Sequence, residues 1–513
     1  MSLCLVQSRA LVGLEAAAVT VEVHLANGLP SFTLVGLADT EVKEARERVR
    51  SALLHSGLEF PHNKRITVNL APADLPKDGG RFDLPIALGI LAASGQIDGG
   101  RLAGHEFAGE LSLSGALRPV RGALATSLAL QAAGRAARLV LPPGSAEEAA
   151  LVPGADVVRV CHLLDVVRQF RLAPPDDAPP EADPGEGWSP LRAGAPGDAA
   201  AYPDLADVKG QAAARRALEI AAAGGHGLLL VGPPGAGKSM LAQRFAGLLP
   251  PLSVQQALES AAVASLAGRF ELAHWARRPT CAPHHSSSAV ALVGGGSPPR
   301  PGEISLAHHG VLFLDELLEF PRSALEALRE PLETGRITIA RAARRSEFPA
   351  RFQLVAAMNP CPCGWLGSAR GCRCTPDQVA RYQGRLSGPL LDRIDLHVEV
   401  PALRPEELLD APAGEPTAAV QARCVAAHGR ALARQGTSNH ALQGTGIAKH
   451  AALSTAADAF LRAAANRLQW SARATHRAIK VARTIADLAA APAIEVVHVA
   501  EAVQYRRGLP AAR

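Results

Sequence analysis

Aromatic residues and long apolar runs are scarce in this sequence. Phe, Trp and Tyr account for 4% of its 513 residues. No uninterrupted apolar run reaches the ~20 residues that a membrane-spanning helix needs. The first residues lack the basic segment, apolar stretch and cleavage site of a secretory signal. These absences argue against a membrane or secreted class, and we expect a cytoplasmic protein with no membrane partner.

An excess of one charge sign is also lacking. The formal net charge is +5 at pH 7. This balance neither requires nor excludes a nucleic-acid partner, so the positions of the basic residues matter more than their number. At 513 residues the chain is long enough for roughly two to four domains with sizeable cores.

Cysteine is rare as well, with eight residues in the chain, but four of them fall within the segment 361–374. They are Cys361, Cys363, Cys372 and Cys374. Four thiolates in one short insert suit tetrahedral Zn²⁺. A disulfide pair, which a reducing cytoplasm disfavours, and free thiols are the alternatives, because the C-x-C spacing is tighter than the usual two-residue gap.

The sequence does contain a complete phosphate-binding loop. Its residues are Gly232, Pro233, Pro234, Gly235, Ala236, Gly237, Lys238 and Ser239. The glycines allow an anion nest at a helix N-terminus, with N–H groups directed at the β-phosphate of a nucleoside triphosphate. Lys238 would reach the β- and γ-phosphates, and the Ser239 hydroxyl would bind Mg²⁺. An apolar strand before the loop and a helix after it support a site for ATP and Mg²⁺.

Two later apolar runs end in polar residues. Residues 310–316 run into Asp315 and Glu316, which suits a central parallel strand that delivers acids to the carboxyl edge of a sheet. Asp315 would hold Mg²⁺, and Glu316 would polarise the attacking water, the role of an ATPase rather than of a passive nucleotide binder. The run 352–359 ends in Asn359. This order predicts a γ-phosphate sensor, although an Asn before proline is by itself a common turn former.

Composition divides the chain into segments. Residues 173–200 are rich in Pro, Gly, Ala and acids without periodicity, which predicts a flexible linker. Residues 1–172 combine alternating apolar strands with an amphipathic helix and predict an α+β domain. Residues 201–402 carry the nucleotide motifs, and residues 403–513 include apolar positions at helical spacing. The predicted fold class is α/β, with an α+β domain in front and a helical module behind.

Longer motifs carry a family resemblance. They lie at residues 34–37, 75–84, 283–286, 293–296, 300–308, 359–364 and 385–395. With them the chain resembles the AAA+ ATPases, and more specifically the magnesium-chelatase-like YifB/ComM family. The resemblance implies an AAA+ P-loop NTPase core at 201–402 and a C-terminal helical lid at 403–513. For residues 1–172 it implies the fold of ribosomal protein S5 domain 2, which Lon proteases share.

The resemblance also assigns roles to two arginines. Arg393 falls where this family places an arginine finger, donated to the γ-phosphate of a neighbouring subunit; a salt bridge to Asp392 or Asp395 is the alternative. Arg473 matches a sensor in the lid that acts on the phosphate of its own subunit, and Arg477, one helical turn on, is its competitor. A finger acting in trans requires a closed ring, and the family implies a homo-hexamer.

Residues 335–350 resemble the β-hairpin that this clade inserts before the sensor strand. The candidate DNA-binding residues of the hairpin are Arg336, Arg341, Arg344 and Arg345. They would line a pore and hold DNA phosphates, and a solvated basic hairpin is the alternative. The loop around His284 and His285 is a candidate for a second pore insert. The paired histidines could also be metal ligands, but no third ligand nearby supports a metal site there.

The motif at 75–84 is similar to the segment that precedes the nucleophile of Lon-type proteases. Arg81 stands at the nucleophile position, and no lysine lies between Lys77 and Lys209. A Ser-Lys dyad therefore cannot form downstream. We expect a non-proteolytic domain that serves DNA or partner binding.

The function that the resemblance implies is an ATP-driven DNA motor of the helicase or branch-migration type. It would act on single-stranded or branched DNA in recombination or natural transformation. A chelatase-type ATPase that drives metal insertion is the alternative from the same core, although the four-cysteine insert and the N-terminal domain count against it. A protein unfoldase is a third alternative, suggested by the Lon-like domain.

Overall fold

The computed structural model describes residues 3–12, 14–37, 39–134, 137–172, 187–191, 202–296, 299–341, 344–404, 406 and 412–506. The chain divides into two compact units, each with its own buried apolar cluster. The first unit contains residues 1–198, 261–275 and 296–300. The second unit contains residues 199–260, 276–295 and 301–513.

The strands, numbered in chain order, are β1 (Leu3–Val12), β2 (Glu15–Asn27), β3 (Ser31–Val35), β4 (Lys64–Ala71), β5 (His105–Phe107), β6 (Glu110–Leu111), β7 (Leu117–Arg118), β8 (Arg138–Leu141), β9 (Val157–Val160), β10 (Trp188–Leu191), β11 (Leu228–Val231), β12 (Thr280–Cys281), β13 (Gly294–Gly295), β14 (Arg300–Pro301), β15 (Val311–Leu314), β16 (Arg336–Arg341), β17 (Arg344–Pro349), β18 (Gln353–Met358) and β19 (Leu396–Glu399).

The α-helices of the described residues are Thr40–His55, Asp83–Ala93, Ala123–Ala132, Ser145–Ala149, Leu163–Gln169, Ala212–Gly224, Lys238–Leu248, Val254–Leu266, Ala289–Val293, Glu303–Leu306, Arg322–Ala327, Arg329–Thr334, Pro376–Gln383, Gly388–Leu391, Thr417–Gln435, Thr445–His450, Thr455–Arg467, Ala472–Leu488 and Val496–Gln504. Among the described residues, no helix is both long and apolar enough to cross a membrane.

The first unit is built on a mixed eight-stranded sheet in the order β10-β9-β8-β5-β1-β2-β4-β3. Burial alternates along β2 and β4, because successive side chains of a strand point to opposite faces. The helix Asp83–Ala93 is apolar on all sides, and every one of its residues is buried. It packs against β1 and β2, so one face of the sheet is covered as the α+β prediction requires.

The second unit holds a five-stranded sheet in the order β12-β15-β18-β11-β19. All four pairings in this sheet are parallel. β11 and β15 are buried along their whole length, which explains why they read as continuous apolar runs rather than as alternating ones. Because the carboxyl ends of parallel strands share one edge, the loops after β11, β15 and β18 leave the sheet side by side.

The C-terminal helices belong to the same hydrophobic core as this sheet. The helix Ala472–Leu488 begins at Ser471, whose side chain accepts a hydrogen bond from the first turn. Its apolar face packs against the helices Ala212–Gly224 and Thr417–Gln435. Buried residues of this face, such as Val481, join the cluster that contains the central strands.

One predicted boundary needs correction. The predicted linker at 173–200 contains β10, which pairs antiparallel with β9. Trp188 packs edge-on against Phe170, with ring centroids 5.9 Å apart. Burying part of this indole offsets entropy lost when a Pro- and Gly-rich segment becomes ordered. Residues 173–186 and 192–200 lie outside the described residues.

A second correction concerns the core at 201–402. Residues 261–275 and 296–300, predicted to lie within that core, belong to the first unit. The core and the segment 403–513 are not separated as two compact units. The linker was predicted from its Pro- and Gly-rich composition, and no such composition marks 261–275. Composition therefore could not reveal that 261–275 and 296–300 belong to the first unit, or that the rest of 201–402 forms one unit with 403–513.

Candidate active site

The phosphate loop connects β11 to the helix Lys238–Leu248 at the carboxyl edge of the parallel sheet. Gly237 precedes the helix with a φ of 90°, a left-handed conformation that side chains disfavour. Gly232 permits a close approach of two chain segments, because a Cβ there would lie 2.1 Å from the carbonyl oxygen of Val400. The loop ends at a helix N-terminus, where the first backbone N–H groups have no acceptor within the helix, an arrangement that binds phosphate.

Lys238 is buried, and its ammonium group closes the loop. Nζ donates hydrogen bonds to the carbonyl oxygens of Gly232 at 2.8 Å and Pro233 at 2.9 Å. It also donates to Asn359 Oδ1 at 3.2 Å. Burial lowers the pKa of Lys238, while the neighbouring carboxylates act in the opposite direction. Asn359 thus faces the loop lysine, as a sensor must, and its contact with phosphate stays a prediction.

Asp315 and Ser239, the two predicted Mg²⁺ ligands, lie in contact. The Ser239 hydroxyl donates a hydrogen bond to Asp315 Oδ2 at 2.6 Å. Neighbouring oxygen ligands of an octahedral Mg²⁺ ion are about 3 Å apart, because each lies about 2.1 Å from the metal. The two oxygens would therefore need to move only slightly apart to bind the ion together. Hard oxygen donors of this kind are the ligands that Mg²⁺ prefers.

Glu316 follows Asp315 with a backbone conformation that is costly for a residue with a side chain. Its φ is 50°, in the left-handed region. Its N–H donates to Asp315 Oδ1 at 2.9 Å, which stabilises the turn. Its side chain is half-exposed. Conformations of this kind cluster at functional sites, where the surrounding structure holds them in place.

The two predicted arginines share one carboxylate partner. Arg393 Nη2 lies 2.6 Å from Glu333 Oε1, and Arg473 Nη1 lies 3.6 Å from the same oxygen. Arg393 is buried, whereas the Arg473 side chain is 69% exposed. The alternative interpretation of Arg393, a salt bridge to Asp392 or Asp395, is wrong, because a glutamate far away in the sequence takes that place.

Arg393 and Arg473 both line a cavity of about 980 Å³ in the second unit. The basic residues of its lining are Arg278, His309, Arg351, Arg393, His428, His440, Arg473, His476, Arg477 and Lys480. Residues 232–239 are absent from the described lining. The structure therefore groups the two arginines with each other and not with the phosphate loop of their own chain.

Asp395 is fully buried and connects the segment that carries Arg393 to the C-terminal helices. Its Oδ2 lies 2.9 Å from His226 Nδ1 and 2.6 Å from His440 Nδ1. Burial alone would raise the pKa of Asp395, but the two histidines hold it well below its ordinary value. Arg477 donates to Asp395 Oδ1 at 2.5 Å and to the Arg393 carbonyl at 2.8 Å. Arg477, the competitor of Arg473, is thus committed to this network.

The four cysteines of the insert lie together. The Sγ atom of Cys361 is 3.4 Å from that of Cys363 and 3.6 Å from that of Cys372. All four sulfur atoms lie within 4.8 Å of one another, and none forms a disulfide. Sulfur ligands of a tetrahedral Zn²⁺ ion are about 3.8 Å apart, because each Zn–S bond is about 2.3 Å. The spacing and the soft donors fit zinc.

The cysteine insert also contacts the phosphate loop. Gly364 lies against Pro234 so closely that a Cβ at position 364 would be 2.6 Å from Pro234 Cδ. The insert begins directly after Asn359 and Pro360, and Gln383 Nε2 donates to the Pro360 carbonyl at 2.9 Å. The insert therefore supports the loop and the sensor strand from one side.

A second cluster of candidate metal ligands does not fit an ion. Glu259, His308 and His309 converge, with both Nε2 atoms directed at Glu259 Oε2. However, His308 Nδ1 accepts the N–H of Arg351 at 3.1 Å, so Nε2 carries the proton and donates. Burial lowers the pKa of His308 to about 3, which keeps the ring neutral.

The predicted hairpin forms, and one of its arginines is ion-paired. β16 and β17 pair antiparallel. Arg336 Nη1 lies 2.8 Å from Glu347 Oε1, so its charge is partly balanced within the hairpin. The predicted DNA contacts of the other arginines fall on side chains outside the described residues. Those arginines are Arg341, Arg344 and Arg345.

Arg81, at the position of the protease nucleophile, is buried in the first unit. Its Nη2 donates to the Arg121 carbonyl at 3.1 Å. Burial lowers the pKa of Arg81 to about 10. Lys77 is also buried, and its ammonium group is bonded to the Pro72 carbonyl. Neither side chain carries a hydroxyl nucleophile, and the non-proteolytic role of the domain stays a prediction.

His285 contacts Glu316, a link that sequence reasoning missed. His285 Nδ1 lies 3.0 Å from Glu316 Oε2. A signal was available, because β12 and β15 are parallel neighbours and the segments after them leave the same edge of the sheet. Glu333, the partner of Arg393 and Arg473, was missed as well. It sits in an ordinary charged helix, and no local pattern distinguishes it.

The parallel sheet, the phosphate loop and the helices that follow are consistent with the AAA+ class of nucleotide-binding proteins. Three family models match the chain. Magnesium chelatase, subunit ChlI, matches residues 204–408. Subunit ChlI of Mg-chelatase matches residues 21–145, and magnesium chelatase, subunit ChlI C-terminal, matches residues 414–506.

Relatives align over nearly the whole chain. Competence protein ComM of Haemophilus influenzae is 49% identical over 513 residues, which cover 99% of this chain and 98% of the relative. Uncharacterized protein YifB of Salmonella typhimurium is 48% identical over 509 residues, with 99% and 97% covered. An uncharacterized protein of Mycobacterium tuberculosis is 43% identical over 502 residues, with 96% and 97% covered. The chain belongs to the magnesium-chelatase-like YifB/ComM family, which confirms the family predicted from its motifs.

Proposed function

We propose that this protein is an ATPase that works as a ring-shaped DNA motor of the helicase or branch-migration type. The observation that carries the ATPase activity is the convergence of Lys238 with Asn359 and of Ser239 with Asp315 at one sheet edge. The DNA substrate is supported by the basic hairpin and by the name of a relative, a competence protein. Recombination or natural transformation is the process that we assign to it.

Each residue of the site has a task in this reaction. ATP supplies the phosphoryl group that is transferred to water, and Mg²⁺ balances the phosphate charge. The loop N–H groups and Lys238 hold the β- and γ-phosphates, while Ser239 and Asp315 hold the ion. Glu316 accepts the proton of the attacking water. Asn359, which is bonded to Lys238, senses the γ-phosphate.

We assign Arg393 to the triphosphate held by a neighbouring subunit. We assign Arg473, predicted to act on the phosphate of its own subunit, to the same neighbouring triphosphate because it shares Glu333 with Arg393. Both arginines pair with Glu333 and line one cavity that excludes the phosphate loop of their own chain. A γ-phosphate is a stronger anionic partner than Glu333 and can replace it, because guanidinium binds phosphate in two-point contacts. Such a site is complete only between two copies. We therefore propose a closed ring, a homo-hexamer by family resemblance.

A chelatase-type ATPase is the second candidate. The three matching family models carry the name of magnesium chelatase, which uses the same core. The DNA motor is preferred because one of the relatives aligned over 99% of this chain is named a competence protein. The two candidates differ in the partner that accelerates ATP hydrolysis.

DNA should therefore stimulate the ATPase. We expect forked or four-way DNA to raise the rate of ATP hydrolysis several-fold at low salt and to be unwound, since phosphate contacts dominate sequence-independent binding. Turnover and strand displacement are measured on single-stranded, duplex, forked and four-way DNA at about 50 and 200 mM salt. Turnover that no DNA stimulates, together with intact substrates, would contradict the motor and leave the ATPase standing.

The Arg336–Glu347 pair supplies a matched control for the DNA experiment. Glu347→Gln releases Arg336 from its partner and should tighten DNA binding. Arg336→Ala should weaken it and reduce the slope of log affinity against log salt by about one. Equal affinities for the wild type and both variants would remove Arg336 from the DNA interface.

We also propose that the four cysteines of the insert bind one structural Zn²⁺. The zinc would fix the insert against Pro234 and so support the phosphate loop, since a structural zinc stabilises the fold around its ligands. The side of the loop that this insert contacts is also the side on which Asn359 reaches Lys238.

The purified protein should contain about one zinc per chain. The double variant Cys361→Ser, Cys363→Ser should lose the metal and melt at a lower temperature, because two of its four thiolate ligands are gone. Elemental analysis and thermal unfolding check this. Cys161→Ser, an exposed cysteine outside the cluster, should keep both zinc and stability. Metal-free wild-type protein would refute the site.

A further inference from the structure

We propose that His285 is a positioning residue for ATP hydrolysis, which holds the Glu316 carboxylate in the orientation from which it activates water. His285 Nδ1 lies 3.0 Å from Glu316 Oε2. The inference rests on the proposed function, because it assumes that Glu316 is the general base. It adds a residue that no motif of the phosphate site contains.

The contact follows from the order of the strands. β12 and β15 are parallel neighbours, with Thr280 opposite Val311 and Cys281 opposite Leu312. The segment 282–288 after β12 therefore leaves the sheet beside the segment that carries Glu316. His285 follows Cys281 at the same distance along the chain as Glu316 follows Leu312, the partner of Cys281 in the sheet. The imidazole and the carboxylate therefore reach the same edge of the sheet.

The segment that carries His285 is held at two points. The rings of His284 and His285 are tilted by 34° to each other, with centroids 4.0 Å apart, and His284 Nδ1 lies 2.8 Å from Ser286 Oγ. The segment ends at Ser288, whose side chain accepts the Ala291 N–H at 3.2 Å and caps the helix that follows. His285 thus faces Glu316 from a fixed backbone.

Glu316 needs such a partner. Its side chain is 54% exposed, and within the described part of the chain no other side chain bonds its carboxylate. A free glutamate side chain samples many rotamers, and ordering it costs free energy. A general base must instead lie within hydrogen-bond reach of the water that it activates.

The contact leaves the base able to react. In the proposed role Nδ1, 3.0 Å from Oε2, carries the proton and directs it at this oxygen, so Oε1 remains available to accept the proton of the water. The pair repeats the logic of hydrolytic triads, in which a third group orients the base without taking part in bond cleavage. His285 keeps its proton throughout, and Glu316 takes the proton from water.

The experiment compares four variants of the full-length protein by steady-state ATP hydrolysis. His285→Ala should lower kcat about tenfold and leave KM for ATP within about twofold, because the phosphate contacts are untouched. His285→Asn should restore most of kcat, since its amide N–H₂ takes nearly the place of Nδ1–H. His274→Ala removes a histidine that instead pairs with Glu271, with Nδ1 at 3.5 Å from Oε2, and should stay within about twofold of the wild type. Glu316→Gln is the fourth variant.

The outcomes separate the inference from the proposed function. An unchanged or raised kcat for His285→Ala overturns the positioning role, and so does an equal loss of kcat in His274→Ala. Failure of His285→Asn to restore activity overturns it as well, provided that all variants melt at the wild-type temperature. If wild-type protein hydrolyses no ATP, the proposed function itself has failed. If Glu316→Gln turns over normally, another group activates the water, and the role of Glu316 fails together with that of His285.

Discussion

Glu316→Gln should stop turnover without stopping nucleotide binding. We expect kcat to fall about 10²–10⁴-fold, the range that a general base contributes, because an amide cannot accept the proton of the attacking water. The affinity for ATP should stay within about threefold, since Lys238 and the loop N–H groups hold the phosphates. Single-turnover hydrolysis and equilibrium binding of a fluorescent ATP analogue measure the two quantities separately.

Glu319→Gln provides the matched control. It makes the same change three residues further on, at an acid that pairs with Arg385 at 3.3 Å and is 42% exposed. Its turnover should match that of the wild type, because it lies outside the cluster of phosphate and ion ligands. A Glu316→Gln protein with wild-type turnover would mean that another group activates the water.

Arg393→Ala should remove almost all hydrolysis in an assembled ring. Arginine fingers contribute about 10³–10⁵ to the rate, so a loss of about 10³-fold is expected with ATP binding retained. Lys238→Ala protein should also be inactive, because it cannot hold the phosphates. Mixing the two variants should restore about a quarter of wild-type turnover, since random assembly pairs an intact loop with an intact finger at about one interface in four. ATP turnover of mixed assemblies measures this.

Arg462→Ala is the control for the loss of an arginine. Arg462 pairs with Asp458 at 2.7 Å and has a 76% exposed side chain, so its removal should leave hydrolysis unchanged. Light scattering must show that the two inactive variants co-assemble. A co-assembled mixture without activity, or an Arg393→Ala protein with normal turnover, would exclude a finger acting between subunits.

The phosphate site was predictable because its parts are local. A glycine-rich loop before a Lys-Ser pair determines its own backbone, and apolar strands that end in acids deliver them to a sheet edge. Lys238, Ser239, Asp315 and Asn359 accordingly meet as their motifs predict. The cysteine cluster was predictable for the same reason, since all four residues lie within one short insert.

The partners of the arginines were not predictable. Arg393 pairs with Glu333, sixty residues earlier, although two aspartates stand nearer in the sequence. Asp395 is instead taken by His226, His440 and Arg477, which come from three separate segments. Which charges neutralise one another in a buried site depends on which segments pack together, because desolvation demands a partner at contact distance and not merely one nearby in sequence.

By itself, the sequence determined the family, the phosphate loop, the strands that carry its acids and the cluster of four thiols. Each of these follows from residue spacing within one element or one loop, where backbone geometry is set locally. Tertiary structure alone decided that His285 meets Glu316, that Arg393 and Arg473 share Glu333, and that Trp188 orders part of an apparent linker. These contacts join segments far apart in the chain, and strand order and packing bring them together.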